Sequence, residues 1–436
     1  MKFLFITLAL AAAALTAPAQ ALTDARRDSL MRSHKVLTFG GETESATEAR
    51  NDSVRRLIEM FYYDQFRHFS DPEAPYFLLM SRDADLAMGI GGAVRMRGYY
   101  DWNGAMPSPA FTPFHISMHP DPARMRHFAT TPSGCCLFFR VLGQNKTLGN
   151  YQLYIEAGFN GYDGRDLKLK KAYAIVNDFT VGLATSTFSD PAAQPPVIDA
   201  QGPSNKISGA NVLVRWMPRL SARWIAALSA ETPASLSASF SPETEAVENW
   251  IPDAAAFLQY EWGPTAHVRL AGIVRSLSYR DKESRRNRHT AGWGVMLSSV
   301  AHPLSPRLTT YASVNYGHGY AGLGGDLSMG TYDLIPCPGS DRRLYAPASL
   351  GWCAGAQWNF RHNLFASGAV SSTLFMPRRG VAGDEYRRGI TADVNLIWNP
   401  TPRIQTGIEF DFAQRLNFSG DSHSACRINL LAQFSF

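Results

Sequence analysis

From Leu86 onward, apolar and polar residues alternate along the chain with a period of two. Between 86 and 102 the apolar set is Leu86, Met88, Ile90, Val94, Met96, Tyr100 and Trp102, while Asp85, Gly89, Arg95, Arg97 and Asp101 take the other positions. Alternate residues of a strand face opposite sides, so this pattern predicts strands whose two faces meet unlike surroundings. The same grammar returns in Tyr151–Phe159, Trp224–Leu228, Ile390–Trp398 and Ile404–Phe412. Strands are expected near 86–102, 126–142, 148–160, 166–176, 178–187, 209–217, 221–231, 253–262, 265–279, 288–300, 306–317, 349–360, 362–376, 386–399, 402–414 and 424–436. That is an even number, as bacterial membrane barrels require. Short turns (Val176–Asp178, Gly263-Pro264, Pro400-Thr401) alternate with long connections (Ser189–Ile207, Thr232–Pro252, Gly317–Ser349). Tyr100, Trp102, Trp216, Trp262, Trp293 and Trp398 stand at strand ends, as interfacial girdles do. The expected fold is all-β: a 16-stranded antiparallel transmembrane β-barrel with a short N-terminal amphipathic helix.

The N-terminal part follows a different pattern. Lys2, the apolar run Phe3–Ala17 and Ala19-Gln20-Ala21 have the form of a cleaved secretory signal over 1–21. Residues 22–80 are expected as a periplasmic segment, and 81–436 as the barrel. Within the segment Ser45-Ala46-Thr47-Glu48 has capping-box form, and Val54, Leu57, Ile58, Phe61 and Phe66 follow at helical spacing. No later stretch approaches eighteen apolar residues, so no transmembrane helix is expected. The predicted location is therefore the bacterial outer membrane, in contact with its lipid.

Composition narrows the choices. The charged fraction is 18%, below the roughly 25% of soluble domains, while 25 Phe, 17 Tyr and 9 Trp are present. A net charge of +5 argues for no nucleic-acid partner. Five cysteines form no disulfide framework and no Cys/His metal spacing, and spacing leaves open whether Cys337 and Cys353 pair. The Gly322–Asp326 run lacks a phosphate-loop lysine, and His318 has no G-x-S-x-G serine beside it. No enzyme, cofactor or metal site is expected.

Two short strands, Leu167–Ile175 and Phe179–Thr187, lead into a connection with four prolines. Loops of that length usually carry function, so 189–207 is the candidate constriction loop, folded back into the barrel. Its Asp190 and Asp199 either tether the loop to lumenal arginines or face the passage and bind solute. Tethering is favoured, since an unpinned loop defines no constriction. The register turns Arg95, Arg97, Arg140, Lys168, Lys170, Arg215, Arg223, Arg269 and Arg275 inward. Fewer acids share that side (Asp85, Asp101, Glu156, Glu231, Glu261, Asp393, Glu409 and Asp411). A lumen rich in arginine favours small anions. Lys171 falls on the lipid side of the register, so a bulge or a strand end is needed there.

Several segments together resemble the DcaP-like family of trimeric outer-membrane porins. They include Leu169-Lys170-Lys171-Ala172-Tyr173, Ser186-Thr187-Phe188-Ser189-Asp190-Pro191, Asp199, Gly202-Pro203, Trp262-Gly263, Gly292-Trp293-Gly294, Tyr316-Gly317-His318-Gly319 and Asn395–Pro400. The resemblance spans about 85–436, and departures fall at Gly182–Thr185 and Ala200. It implies a homotrimer passing small, dicarboxylate-like solutes by diffusion. The alternatives are a barrel serving as an anchor or adhesin with a closed passage and, behind it, an outer-membrane hydrolase.

Overall fold

The computed structural model describes residues 35–39, 64–72, 75, 77–81, 85–104, 106, 108–145, 147, 149–160, 166–207, 209–263, 265–378 and 381–436. The expected leader, the capping box at Ser45–Glu48 and the helical set from Val54 to Phe61 lie outside these residues. Among the described residues no helix is long and apolar enough to cross a membrane.

Two short strands, β1 (Lys35–Phe39) and β2 (Phe77–Ser81), precede the barrel wall. The wall begins with β3 (Leu86–Trp102), β4 (Arg126–Thr131), β5 (Cys136–Asn145), β6 (Gly149–Asn160), β7 (Asp166–Val176) and β8 (Phe179–Thr185). It continues through β9 (Ala210–Trp216) and β10 (Trp224–Glu231), then β12 (Asp253–Glu261), after the accessory β11 (Thr244–Ala246). Next come β13 (His267–Asp281), β14 (Arg286–Ala301) and β15 (Leu308–His318), followed by the small hairpin β16 (Ile335–Cys337) and β17 (Ser340–Tyr345). The wall ends with β18 (Ala348–Arg361), β19 (Leu364–Met376), β20 (Tyr386–Thr401), β21 (Ile404–Asn417) and β22 (Ser422–Ser435). Counting β4 and β5 as one interrupted strand, sixteen antiparallel wall strands close when β22 pairs with β3, from Cys426↔Trp102 to Ser435↔Ala93.

The expected strand 126–142 is broken into β4 and β5, which pair with the upper and lower parts of β3. Pro132 has no N–H to donate, and Gly134 has φ 101°, in the left-handed region. The last short turn lies at 402–403 rather than Pro400-Thr401, because β20 carries a ladder irregularity between Trp398 and Thr401 that absorbs Pro400. The expected strand Phe179–Thr187 stops at Thr185, two residues early. The five cysteines are all free thiols, so Cys337 and Cys353 do not pair.

The distribution of side chains is inside-out. Ile90 is 65% exposed, and Val94, Leu153, Val214, Leu270, Val394 and Leu430 also point outward, exposed. Arg269, Arg427, Asp101 and Asp411 point inward and are 0% exposed. In water such an arrangement wastes both the apolar surface and the desolvated charge. With hydrocarbon outside it is the stable one, because a closed barrel leaves no backbone group unpaired toward lipid.

Residues 64–72 and β2, grouped by sequence with the N-terminal segment, lie against the barrel. Strand β2 pairs with the start of β3, from Phe77↔Ile90 to Met80↔Ala87. It continues the ladder directly beneath Phe436, whose backbone exchanges two 3.0 Å hydrogen bonds with Gly92. The 64–72 stretch is inside the barrel: the Phe66 ring meets Phe257 of β12 edge-on at 6.1 Å, and Phe69 meets Phe365 of β19 at 5.8 Å.

Candidate functional site

The irregular stretch 186–209 between β8 and β9 runs around the inside of the wall, and side chains on nearly every side hold it. Asp190 accepts from His267 at 3.0 Å and from Ser298 at 2.5 Å, with Arg269 at 3.5 Å. Burial pushes its carboxyl up, but the Arg269 guanidinium and the hydrogen bonds from His267 and Ser298 keep it below the usual range. Asp199 pairs with Arg97 at 3.1 Å and Arg427 at 3.3 Å and accepts from the Phe111 N–H at 2.9 Å. Both carboxylates thus face the wall. Glu409 accepts the N–H groups of Ile198 and Asp199, each at 2.6 Å. Ser367 and Asn395 donate to the Pro196 carbonyl, while Ser204 and Asn205 reach Ser371 and Ser313.

The inward arginines divide into two groups. Arg95 donates to the Ile198 carbonyl at 3.0 Å, and Arg97 to the Pro109 carbonyl at 2.7 Å. Arg269 donates to the Ser189 carbonyl at 2.8 Å and to Gln259 at 2.7 Å. Arg275 binds Asp253 and Asp333, both at 3.2 Å, and the Gly319 carbonyl, clamping the loops after β10 and β15 together. These four are buried anchors. Arg427, which the sequence reading missed, is a fifth: it grips Asp101 through two contacts of 2.6 and 3.0 Å. Its signal was present, since it alternates inward on a strand already assigned.

The second group borders a small cavity on the wall from β5 to β9, where Arg140 and Arg215 are as buried as the anchors. Arg140 donates to Gln152 at 3.0 Å, and Arg215 donates to the Thr185 carbonyl with the Phe66 ring 4.0 Å from its guanidinium. They border a cavity of about 80 Å³ with Lys171, Tyr173, Gln152 and Asp64. A bulge between Glu156 and Ala157 of β6 leaves Lys170 as the extra residue of β7, so Lys171 turns inward after all. Glu156 serves both lysines, at 3.4 Å from Lys170 and 4.0 Å from Lys171. Lys168 shares their side, higher up and exposed. Arg223 is different: it lies in the turn between β9 and β10, exposed, and donates to the Tyr260 hydroxyl at 3.1 Å. The expected strand at 221–231 begins only at Trp224, because Ser221–Arg223 close the turn.

Lys206, near the end of the loop, also joins this group. It was not singled out by sequence because loops have no register to read. Among the described residues it makes no ion pair; burial lowers its pKa, with Lys170 and Arg95 adding to the effect and Asp71 and Asp199 opposing it. On the long-loop side a separate cavity of about 820 Å³ is lined by Tyr99, His115, His119, Arg124, His127 and His423 among others. His318 lies on neither: its ring sits 5.4 Å from Trp293 and 6.0 Å from Tyr316, an aromatic cluster where the end of β15 meets the middle of β14.

No protein-family model and no curated protein sequence matches the chain. Solved structures do. The outer membrane channel DcaP of Acinetobacter baumannii superposes with a TM-score of 0.67 at 19% identity, over 82% of this chain and 99% of that one. An anion-selective porin from Comamonas acidovorans gives 0.53 at 11% identity, over 80% and 100%. OmpT of Vibrio cholerae, an outer-membrane protein, gives 0.51 at 6% identity, over 81% and 98%. What these identities establish is architecture, and the chain has the barrel fold of the outer-membrane channel DcaP, as its sequence motifs imply.

Proposed function

We propose that the chain is an outer-membrane porin through which small anionic solutes of dicarboxylate type diffuse without a cofactor or energy coupling. The observation that carries the reading is the cationic wall of Arg140, Lys170, Lys171, Arg215 and Lys206 beside interior space. Fixed positive charge in a narrow, weakly screened passage raises the local concentration of anions. The solved relatives support the class, since the Comamonas barrel is described as an anion-selective porin. A trimer form described for the Vibrio barrel supports a homotrimer in the outer membrane, and the pattern at 1–21 supports a cleaved leader.

A closed barrel acting as an anchor is the second reading. The tethered loops and the 64–72 stretch that occupy the lumen favour it. Conductance of the purified chain in a planar bilayer, with reversal potentials under a salt gradient, decides between the two. Anion-selective conductance is expected. No conductance would establish the anchor, and cation preference would overturn the sign of the selectivity.

A further inference from the structure

Two lysines of β7 share Glu156, and one of them has a second partner. Lys171 Nζ is 3.3 Å from Asp71 Oδ2, on the stretch that enters the lumen from the N-terminal side. The pair is only partly exposed, at 14% and 22%. Lys206 faces the same carboxylate from the loop, and Asp64 faces Lys171 and Arg215 from the other end of the stretch. Between the two acids lies His68, buried, with Nδ1 2.7 Å from Ser70 and Nε2 without a hydrogen-bond partner among the described residues. Burial, aided by nearby Lys206, pushes its pKa down to about 3, so the imidazole adds no cation there. Burial raises the pKa of Asp71, yet Lys171 and the His68 backbone N–H, 2.9 Å from Oδ2, outweigh it and hold the value at about 2.

The stretch is held by side chains and not by the sheet. Its backbone bonds are local, from Arg67 to Asp64 and from Asp71 to His68, and Gln65 offers its carbonyl to Arg269 at 3.4 Å. Phe66 stays packed in the apolar cluster beside Phe257, so the ion pair at Asp71 can exchange while the stretch remains in place. Its carboxylates lie where a solute anion would meet the cationic wall.

Building on the porin reading, we infer that Lys170, Lys171 and Lys206 form a binding site for one carboxylate of a dianionic solute. Asp71 occupies this site in the resting chain as an internal competitor. A solute carboxylate that takes the lysines displaces Asp71 by exchange of one ion pair for another, so the site passes dianions more readily than neutral molecules of the same size.

The test uses the full chain in liposomes, with succinate as the dianionic probe and arabinose as the neutral one. Asp71→Asn should raise succinate flux at low concentration by roughly three- to fivefold, a change within reach of a partly exposed ion pair. Arabinose flux should stay within about twofold on the same scale, and Asp71→Glu should restore wild-type behaviour. Lys206→Met should lower succinate flux and leave arabinose flux unchanged. Unchanged succinate flux in D71N, or a parallel rise for both solutes, would overturn the inference in favour of a steric plug. Arabinose flux through the wild-type chain reports the porin reading on its own, so the two can fail separately.

Discussion

Arg427 and Asp101 join the last wall strand to the first, Nε to Oδ1 at 2.6 Å and Nη2 to Oδ2 at 3.0 Å, with both side chains fully buried. The same arginine also holds Asp199 and the carbonyls of Ser108 and Pro109. One guanidinium thus links the barrel seam to the placement of the loop. Asp101→Ala leaves that charge with a single partner carboxylate, and breaking a buried pair costs about 3–5 kcal/mol. Urea titration of the folded barrel, followed by tryptophan fluorescence, is expected to show a midpoint shift of that size.

Glu409 fixes the turn of the constriction loop by accepting two backbone N–H groups at once. Glu409→Ala leaves both N–H groups unpaired in a buried place, at about 1–3 kcal/mol each. The loop should detach locally while the wall stays intact. Single-channel recordings are expected to show larger and noisier conductance, and deletion of residues 190–205 should enlarge it further.

Anchor and wall cations should respond differently to neutralisation. Lys206→Gln is expected to move the reversal potential toward zero without loss of stability, because Lys206 makes no ion pair among the described residues. Arg269→Gln should do the opposite. It should lower stability by about 3–5 kcal/mol, as loss of a buried partner does, because Arg269 holds Ser189, Gln259 and Asp190. Paired reversal-potential and melting measurements on the two variants check this.

Asp326 lies in the loop after β15, where the Thr112 hydroxyl donates to it at 2.7 Å and the Tyr386 hydroxyl at 2.8 Å. Burial raises its carboxyl to about 7 against these two donors. A folded value above the unfolded one means stability is greatest in acid and falls as pH rises from about 4 to about 7. The slope is at most about 1.4 kcal/mol per pH unit. Melting curves between pH 4 and 8 should show this fall, and Asp326→Asn should flatten it.

The wall was legible because period-two alternation is a physical requirement of a surface with lipid on one side and polar contacts on the other. It located β3 to the residue and β20 and β21 to within two or three residues. The break at Pro132–Cys135 was not legible, since the pairing of both halves with one long neighbour is a non-local fact. At the site, register identified the inward arginines but could not say which were occupied by loop carbonyls. Arg97 and Arg140 read alike in sequence, yet one is locked to Asp199 and the other borders a cavity of about 80 Å³. Lys206 and Asp71 lie in stretches with no period at all, and only their meeting point gives them a role.

The extra residue in β7 has a genetic consequence. Removing one residue from a regular strand exchanges the faces of everything beyond it. Here the opposite holds: Lys171 pairs with Glu156 and Leu169 with Ala157, so excising Lys170 joins two runs already in phase. A three-nucleotide deletion at that codon would spare the parity of the strand. It would subtract one ammonium group from the lumen and leave every neighbouring side chain on the face it holds.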